Sequence, residues 1–321
     1  MEEIVVGTKP HSPKKKPKNK RLTWQTIKEQ KQLIFMSVPL LAYIITFSYV
    51  PVWGWTMAFQ DYKPARSFSD QTWVGFKHFK FLFTDDNFLR VLRNTLGMSI
   101  INLILGFVTA IILALLLNEI KKVLWKRTVQ TISYLPHFLS WIIVTGIVAT
   151  SLASDGIVND ILMKLHLIDQ PILWLTEGKY FWGVVAASHV WKEVGWNTII
   201  YLAAIASIDP ALYEASDIDG ANRYQKMWNI TLPGIKPTIV ILLIMSIGHI
   251  LEAGFEVQYL LGNGLVVDWS ETIDIFVLKY GIAQGNYSLA TAGGIFKSVV
   301  SITMLLFANW TAKRLGEERL L

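Results

Sequence analysis

Six long apolar blocks decide what this sequence can fold into. They cover residues 33–58, 95–117, 132–152, 181–204, 238–261 and 290–311. Each holds the about 20 residues that an α-helix needs to cross about 30 Å of hydrocarbon. The apolar residues come in these runs rather than spread with the period of a soluble core. The expected fold is all-α, a polytopic membrane protein with six transmembrane helices. Residues 96–117 carry no charge, whereas the fourth block holds Lys192 and Glu193 and is the weakest by hydropathy. Composition agrees: 52% hydrophobic and 17% charged, against about 45–50% and about 25% in soluble domains. With no cysteine, a disulfide scaffold, a thiolate metal site and a cysteine nucleophile are excluded.

The net charge of +6 is informative only through its distribution. With the amino terminus inside, the segments 1–32, 118–131, 203–236 and 312–321 hold nineteen Lys and Arg, and the outside loops 59–94, 153–180 and 262–289 hold nine. Lys192 and Lys297 lie in apolar blocks. Cytoplasmic loops are enriched in Lys and Arg, so both termini are expected in the cytoplasm. Residues 1–32 form a basic arm without material for a core, expected to become helical near Trp24. They are not expected to be a secretory signal, because the apolar run starts late and continues. Topology and attraction to anionic lipid account for such an arm, which removes the case for nucleic acid. The chain therefore divides into the arm 1–32, a six-span body 33–315 and a tail 316–321.

The inside loop 207–237 carries the most specific pattern. Asp209 before Pro210 is a helix start, with the Asp capping N–H groups and proline in the first turn. Gly220 can take the left-handed conformation that ends a short helix. A second helix is expected to reach Ile230 before Pro233 and Pro237 stop it. Such an elbow exceeds the 2–8 residues that join neighbouring helices, so it reads as a surface presented to a partner.

Glu214-Ala215-Ser216, three residues, Gly220, nine residues, then Ile230-Thr231-Leu232-Pro233 resembles the E-A-A-x3-G-x9-I-x-L-P loop of ABC importer permeases. Ser216 for the second alanine is the one departure, small for small. Trp73-Val74-Gly75-Phe76 with Phe79, Asn94-Thr95-Leu96 and Tyr134-Leu135-Pro136-His137 extend the resemblance over residues 30–315. It is to the type I, maltose-like carbohydrate permeases, most similar to those of polysaccharide and uronate-oligosaccharide importers of the alginate or rhamnogalacturonan type. The resemblance implies a bacterial inner-membrane subunit that pairs with a second permease, two ABC ATPase subunits and an extracytoplasmic binding protein for an oligosaccharide. It makes the loop a coupling helix, with Glu214, Ala215, Ser216, Asp217, Gly220, Ile230, Leu232 and Pro233 at the ATPase interface. ATP and Mg would sit on the partner. This chain has no G-x-x-x-x-G-K-[ST] loop, since Gly293-Gly294-Ile295-Phe296-Lys297-Ser298 is misspaced and lies in a span. No cofactor and no catalytic residue are expected here.

Ionisable groups within spans are costly and usually face the bundle interior or a watery path. His189, Glu193 and Asn197 share a face of block four, with Trp191 nearby. His249, Glu252 and Glu256 are expected to form one stripe in block five. Asn102 and Lys297 complete the candidates for a sugar pathway, in which hydroxyls need polar partners and ring faces need aromatic ones. Lys192 or Lys297 could balance a uronate, or pair with Glu193 across the bundle. His249 with Glu252 offers too few ligands for a metal. Two other classes remain open at this level. One is a proton-coupled secondary transporter using Glu193, Glu252 or Glu256. The other is an intramembrane enzyme with His189 and Glu193 as acid and base, for which no nucleophile is in place.

Overall fold

The computed structural model describes residues 30–314 and Gly316. The basic arm up to residue 29, with its expected helix near Trp24, and most of the tail lie outside the described residues. The chain divides after Gly54 into two compact units. In the first, helix α1 (Lys31–Ile44) passes through a π-turn (Ile45–Tyr49), and no residue of α1 is buried; the 3-10 helix that follows (Val50–Phe59) runs on into the second unit.

The second unit is helical apart from a two-stranded ribbon, in which β1 (Gln60–Asp61) pairs antiparallel with β2 (Thr72–Trp73). Its helices are α2 (Lys77–Thr84), α3 (Asp86–Glu119), α4 (Val123–Tyr134), α5 (Trp141–Ser151), α6 (Ile157–Lys164) and α7 (Gly178–Ala206). They continue with α8 (Pro210–Ile218), α9 (Arg223–Lys226), α10 (Leu232–Gly248), α11 (Phe255–Leu261), α12 (Val267–Ser270), α13 (Ile273–Leu278) and α14 (Tyr287–Arg314). Among the described residues, four helices are long and apolar enough to cross a membrane, or six if each of two bent pairs is one span.

The long helix α3 shows why lipid is its solvent. Ile104, Val108, Ile112 and Leu116, four apart, are exposed, while Ala110, Ala114 and Leu117 are buried. Here large side chains face outward and the small Ala110 and Ala114 face the neighbouring helix, which allows close backbone approach. That neighbour is α7, where Thr198 Oγ1 donates to Ala110 O at 3.2 Å. Local chemistry sets the helix starts: Asp85 accepts from Phe88 N at 3.3 Å and Ser140 from Ile143 N at 3.4 Å.

Three expectations about the blocks need correction. Block three is not one straight helix: the segments Val123–Phe138 and Trp141–Ser151 bend by 104°. Pro136 sits in a 3-10 turn (Leu135–Phe138), where it cannot donate to an α-helical ladder. Pro233 and Pro237, ahead of block five, do not stop the helix that precedes them, since Arg223–Gly248 is continuous over 26 residues. A π-turn at Met227–Thr231 widens the helix just before Pro233 and accommodates a residue without an N–H. Block five instead ends at Gly248, and Gly254 with φ +90° turns the chain into the separate helix α11.

The Asn94-Thr95 pair ties α3 to α12, the segment after it and the start of α13. Asn94 Nδ2 donates to Asp268 O at 3.0 Å and Glu271 O at 3.1 Å, and Thr95 Oγ1 accepts from Ile273 N at 3.0 Å. Arg90 and Lys279 flank the buried Glu271 carboxylate at 3.5 and 3.0 Å. Leaving a buried carbonyl unpaired costs about 1–3 kcal/mol. Asn94→Ala is therefore expected to lower the melting temperature of the purified protein by several degrees; an unchanged transition would mean these bonds hold nothing.

Candidate functional site

Two places gather the residues singled out from the sequence: a helical elbow between α7 and α10, and a polar cavity between α3, α7 and α10.

The elbow starts as its sequence dictates. Asp209 Oδ1 accepts from Ala211 N at 2.9 Å and Pro210 opens α8. At its far end Gly220 has φ +73°, and Ala221 N donates back to Ser216 O at 2.9 Å. That is the left-handed reversal by which helices stop, most natural for glycine and next for asparagine. The next limb opens with a reciprocal cap that the sequence reading did not identify: Asn222 Oδ1 accepts from Gln225 N at 3.0 Å, and Gln225 Oε1 from Asn222 N at 2.8 Å. The N-x-x-Q spacing was the available signal.

The elbow is braced. Lys226 pairs with Asp217 across the turn, and Tyr213 Oη lies 2.9 Å from Thr231 Oγ1 in the π-turn. Ile208 packs on Gly234, where an added Cβ would come within 2.6 Å of its Cδ1. Leu232 packs with the buried Ala110, Ala114, Tyr201, Ile205 and Ile235. Ser216 turns its hydroxyl to Tyr213 O at 2.7 Å, so it occupies an alanine's space. Facing outward are Glu214, Ala215, Pro233 and the apolar Leu212, Ile218, Tyr224 and Trp228, with Ile218 88% exposed. Large apolar groups displayed together on a braced frame mark a contact surface.

The cavity has a volume of about 410 Å³ and is lined by Asn102, His189, Asn197, His249 and Glu252 among others. Ser99 Oγ, Asn102 Oδ1 and His189 Nδ1 are buried and have no hydrogen-bond partner within the described chain. Phe107 and Tyr201 supply its aromatic lining. Three of the pathway candidates lie elsewhere. Trp191 lines a separate apolar groove beside Trp174. Lys297 pairs with Asp274 at 2.7 Å. Glu193 turns away from the cavity to His137 Nδ1 at 2.7 Å, while Lys192 Nζ donates to His137 O at 2.6 Å and lies 3.3 Å from Glu193.

This last cluster has a local cause. The bend after Phe138 strands carbonyls that lipid cannot satisfy, and Lys192 reaches across to one of them. His137 also stacks on Trp196 at 4.3 Å. The stripe expected for His249, Glu252 and Glu256 is broken, because the helix stops at Gly248 and Glu256 belongs to α11. His249 Nδ1 and Glu252 Oε2 still meet at 3.2 Å through a turn. Among the described residues no group of three or more metal-ligating side chains occurs.

Residues 87–317 match the family described as binding-protein-dependent transport system inner membrane component. The chain is 45% identical over 305 residues to the polygalacturonan/rhamnogalacturonan transport system permease protein YteP of Bacillus subtilis, covering 95% of this chain and 94% of that one. It is 43% identical to protein LplB of the same organism, covering 94% and 95%. The crystal structure of a bacterial alginate ABC transporter, in complex with an alginate pentasaccharide-bound periplasmic protein, superposes with a TM-score of 0.86 at 40% identity over 92% of this chain and 99% of that one. With a fold, a displayed elbow and relatives that coincide over nearly its whole length, the chain belongs to the binding-protein-dependent inner-membrane permeases and is a transport subunit of an ABC importer, with hydrolysis left to partner ATPases.

Proposed function

We propose that this chain is one of two permease halves of an importer for an oligosaccharide. The braced elbow carries the reading: it displays Glu214 and four apolar side chains around a turn that Gly220 makes, at the spacing of the coupling loop. In this reading the chain crosses a bacterial inner membrane six times, with the bent pair Val123–Phe138 and Trp141–Ser151 as one span and α7 without α8 as another. The distribution of nineteen basic residues against nine supports a cytoplasmic location for both termini and the elbow. Residues 1–32 are a basic arm, 33–315 the permease body with its coupling loop 207–237, and 316–321 a tail. One of the two ATPase subunits grips the elbow through Glu214, Ala215, Ser216, Asp217 and Gly220, while Ile230, Leu232 and Pro233 join it to α10. Closure of the ATPases on ATP and Mg, which they and not this chain bind, then moves α7 and α10 together.

The cavity between those helices is this chain's share of the pathway, completed by the second permease. An extracytoplasmic binding protein delivers the saccharide. Unpartnered hydroxyl, amide and imidazole groups suit sugar hydroxyls, and the rings of Phe107 and Tyr201 suit sugar faces. The similarity to permeases named for polygalacturonan and alginate supports an oligosaccharide as cargo.

The test is reconstitution of the four-subunit transporter in liposomes. ATP hydrolysis is expected to need the ATPase subunits and to rise with loaded binding protein, and this chain alone is expected to hydrolyse nothing. Uptake that continues without ATP and collapses with a protonophore would overturn the reading.

A further inference from the structure

Charge in the cavity is one-sided. Among the described residues no lysine or arginine lines it, and Glu252 is its one carboxylate. Lys192, three residues from His189, is held by Glu193 with the His137 carbonyl, and Lys297 is held by Asp274. His249 is occupied with Glu252 at 3.2 Å. The buried groups of this wall without partners are the hydroxyl of Ser99, the amide oxygen of Asn102 and Nδ1 of His189. A sugar hydroxyl both donates and accepts, so it can satisfy each of these. A carboxylate only accepts, cannot serve the Asn102 oxygen, and is repelled by the half-exposed carboxylate of Glu252.

We propose that Glu252 makes this subunit's wall of the cavity select against carboxylates. The wall receives uncharged, hydroxyl-bearing faces of the saccharide, and any uronate carboxylate is turned towards the wall that the second permease supplies. The inference rests on the cavity being the oligosaccharide pathway. Its consequence is a division of labour within the importer: this chain reads hydroxyls, and the partner balances charge.

Equilibrium binding to the complete, nucleotide-free transporter in nanodiscs tests this without the binding protein's own preference. The probes are an oligogalacturonide and its carboxyl-reduced, neutral counterpart. In Glu252→Gln the ratio of acidic to neutral dissociation constants is expected to fall by about tenfold, the scale of one like-charge contact at intermediate dielectric. In Asn102→Asp, which adds a carboxylate to the same wall, the ratio is expected to rise. Ratios unchanged in both variants would overturn the inference and leave the oligosaccharide reading standing. Binding of neither saccharide at any concentration would overturn the oligosaccharide reading itself.

Discussion

Gly220→Val is expected to abolish the ATPase response to loaded binding protein while leaving the assembled transporter intact. Gly220 has φ +73° and no atom within 4 Å of a Cβ placed on it, so nothing is crowded and only backbone conformation is at stake. A left-handed residue with a side chain costs about 1–2 kcal/mol, and a β-branched one lies at the unfavourable end. Re-forming the turn with φ negative would swing α8 away from Asn222 and break the Asp217–Lys226 pair that fixes the angle of the elbow. The surface formed by Leu212, Ile218, Tyr224 and Trp228 would then lose its arrangement. Stimulated hydrolysis in proteoliposomes measures the loss, and Gly220→Asn, tolerated in this conformation, should retain much of the response. Full stimulation in the valine variant would show that the turn does not transmit the stroke.

The second large effect lies in the membrane. A Cβ on Gly195 would sit 2.0 Å from Ser133 O and 2.3 Å from its carbonyl carbon. Those are backbone atoms, which cannot rotate aside as a side chain could. Gly195→Val must push α4 off α7 just where Lys192, Glu193 and Trp196 hold the broken third block through His137. Overpacking ordinarily costs about 1–3 kcal/mol; a clash with backbone in a site that also carries an ion network should exceed that. The expected outcome is little or no folded protein in membranes, read by detergent-solubilised yield and by thermal aggregation. Gly146→Ala is the control, because nothing lies within 4 Å of its added Cβ. Normal yield of Gly195→Val would mean that α4 and α7 separate more easily than their contact indicates.

The elbow was legible because its information is local. An Asp-Pro start, a glycine stop and a fixed spacing are written within a few residues, and the structure places the cap on Ala211 N and the positive φ at Gly220. The π-turn before Pro233 was not legible, since proline chemistry alone predicts a stop and only the packed helix shows that widening one turn avoids it. The cavity was legible in part. Residue type and helical period pointed to Asn102, His189, Asn197, His249 and Glu252, which do line it. The same rules also pointed to Trp191, Glu193 and Lys297, which do not.

What the sequence determined by itself was a helical membrane chain with a displayed loop, because bilayer thickness and capping are constraints a helix meets alone. Tertiary structure decided which charges meet. Glu193 could face the cavity or His137 without changing any helical period. The bend at Phe138 settles it, by leaving a carbonyl that Lys192 must satisfy and thereby drawing the carboxylate to the same side. Lys297 likewise follows Asp274, a residue on another helix whose distance no single-helix rule contains. Partner choice for a buried charge is a property of the space between helices, and that space exists only once they have packed.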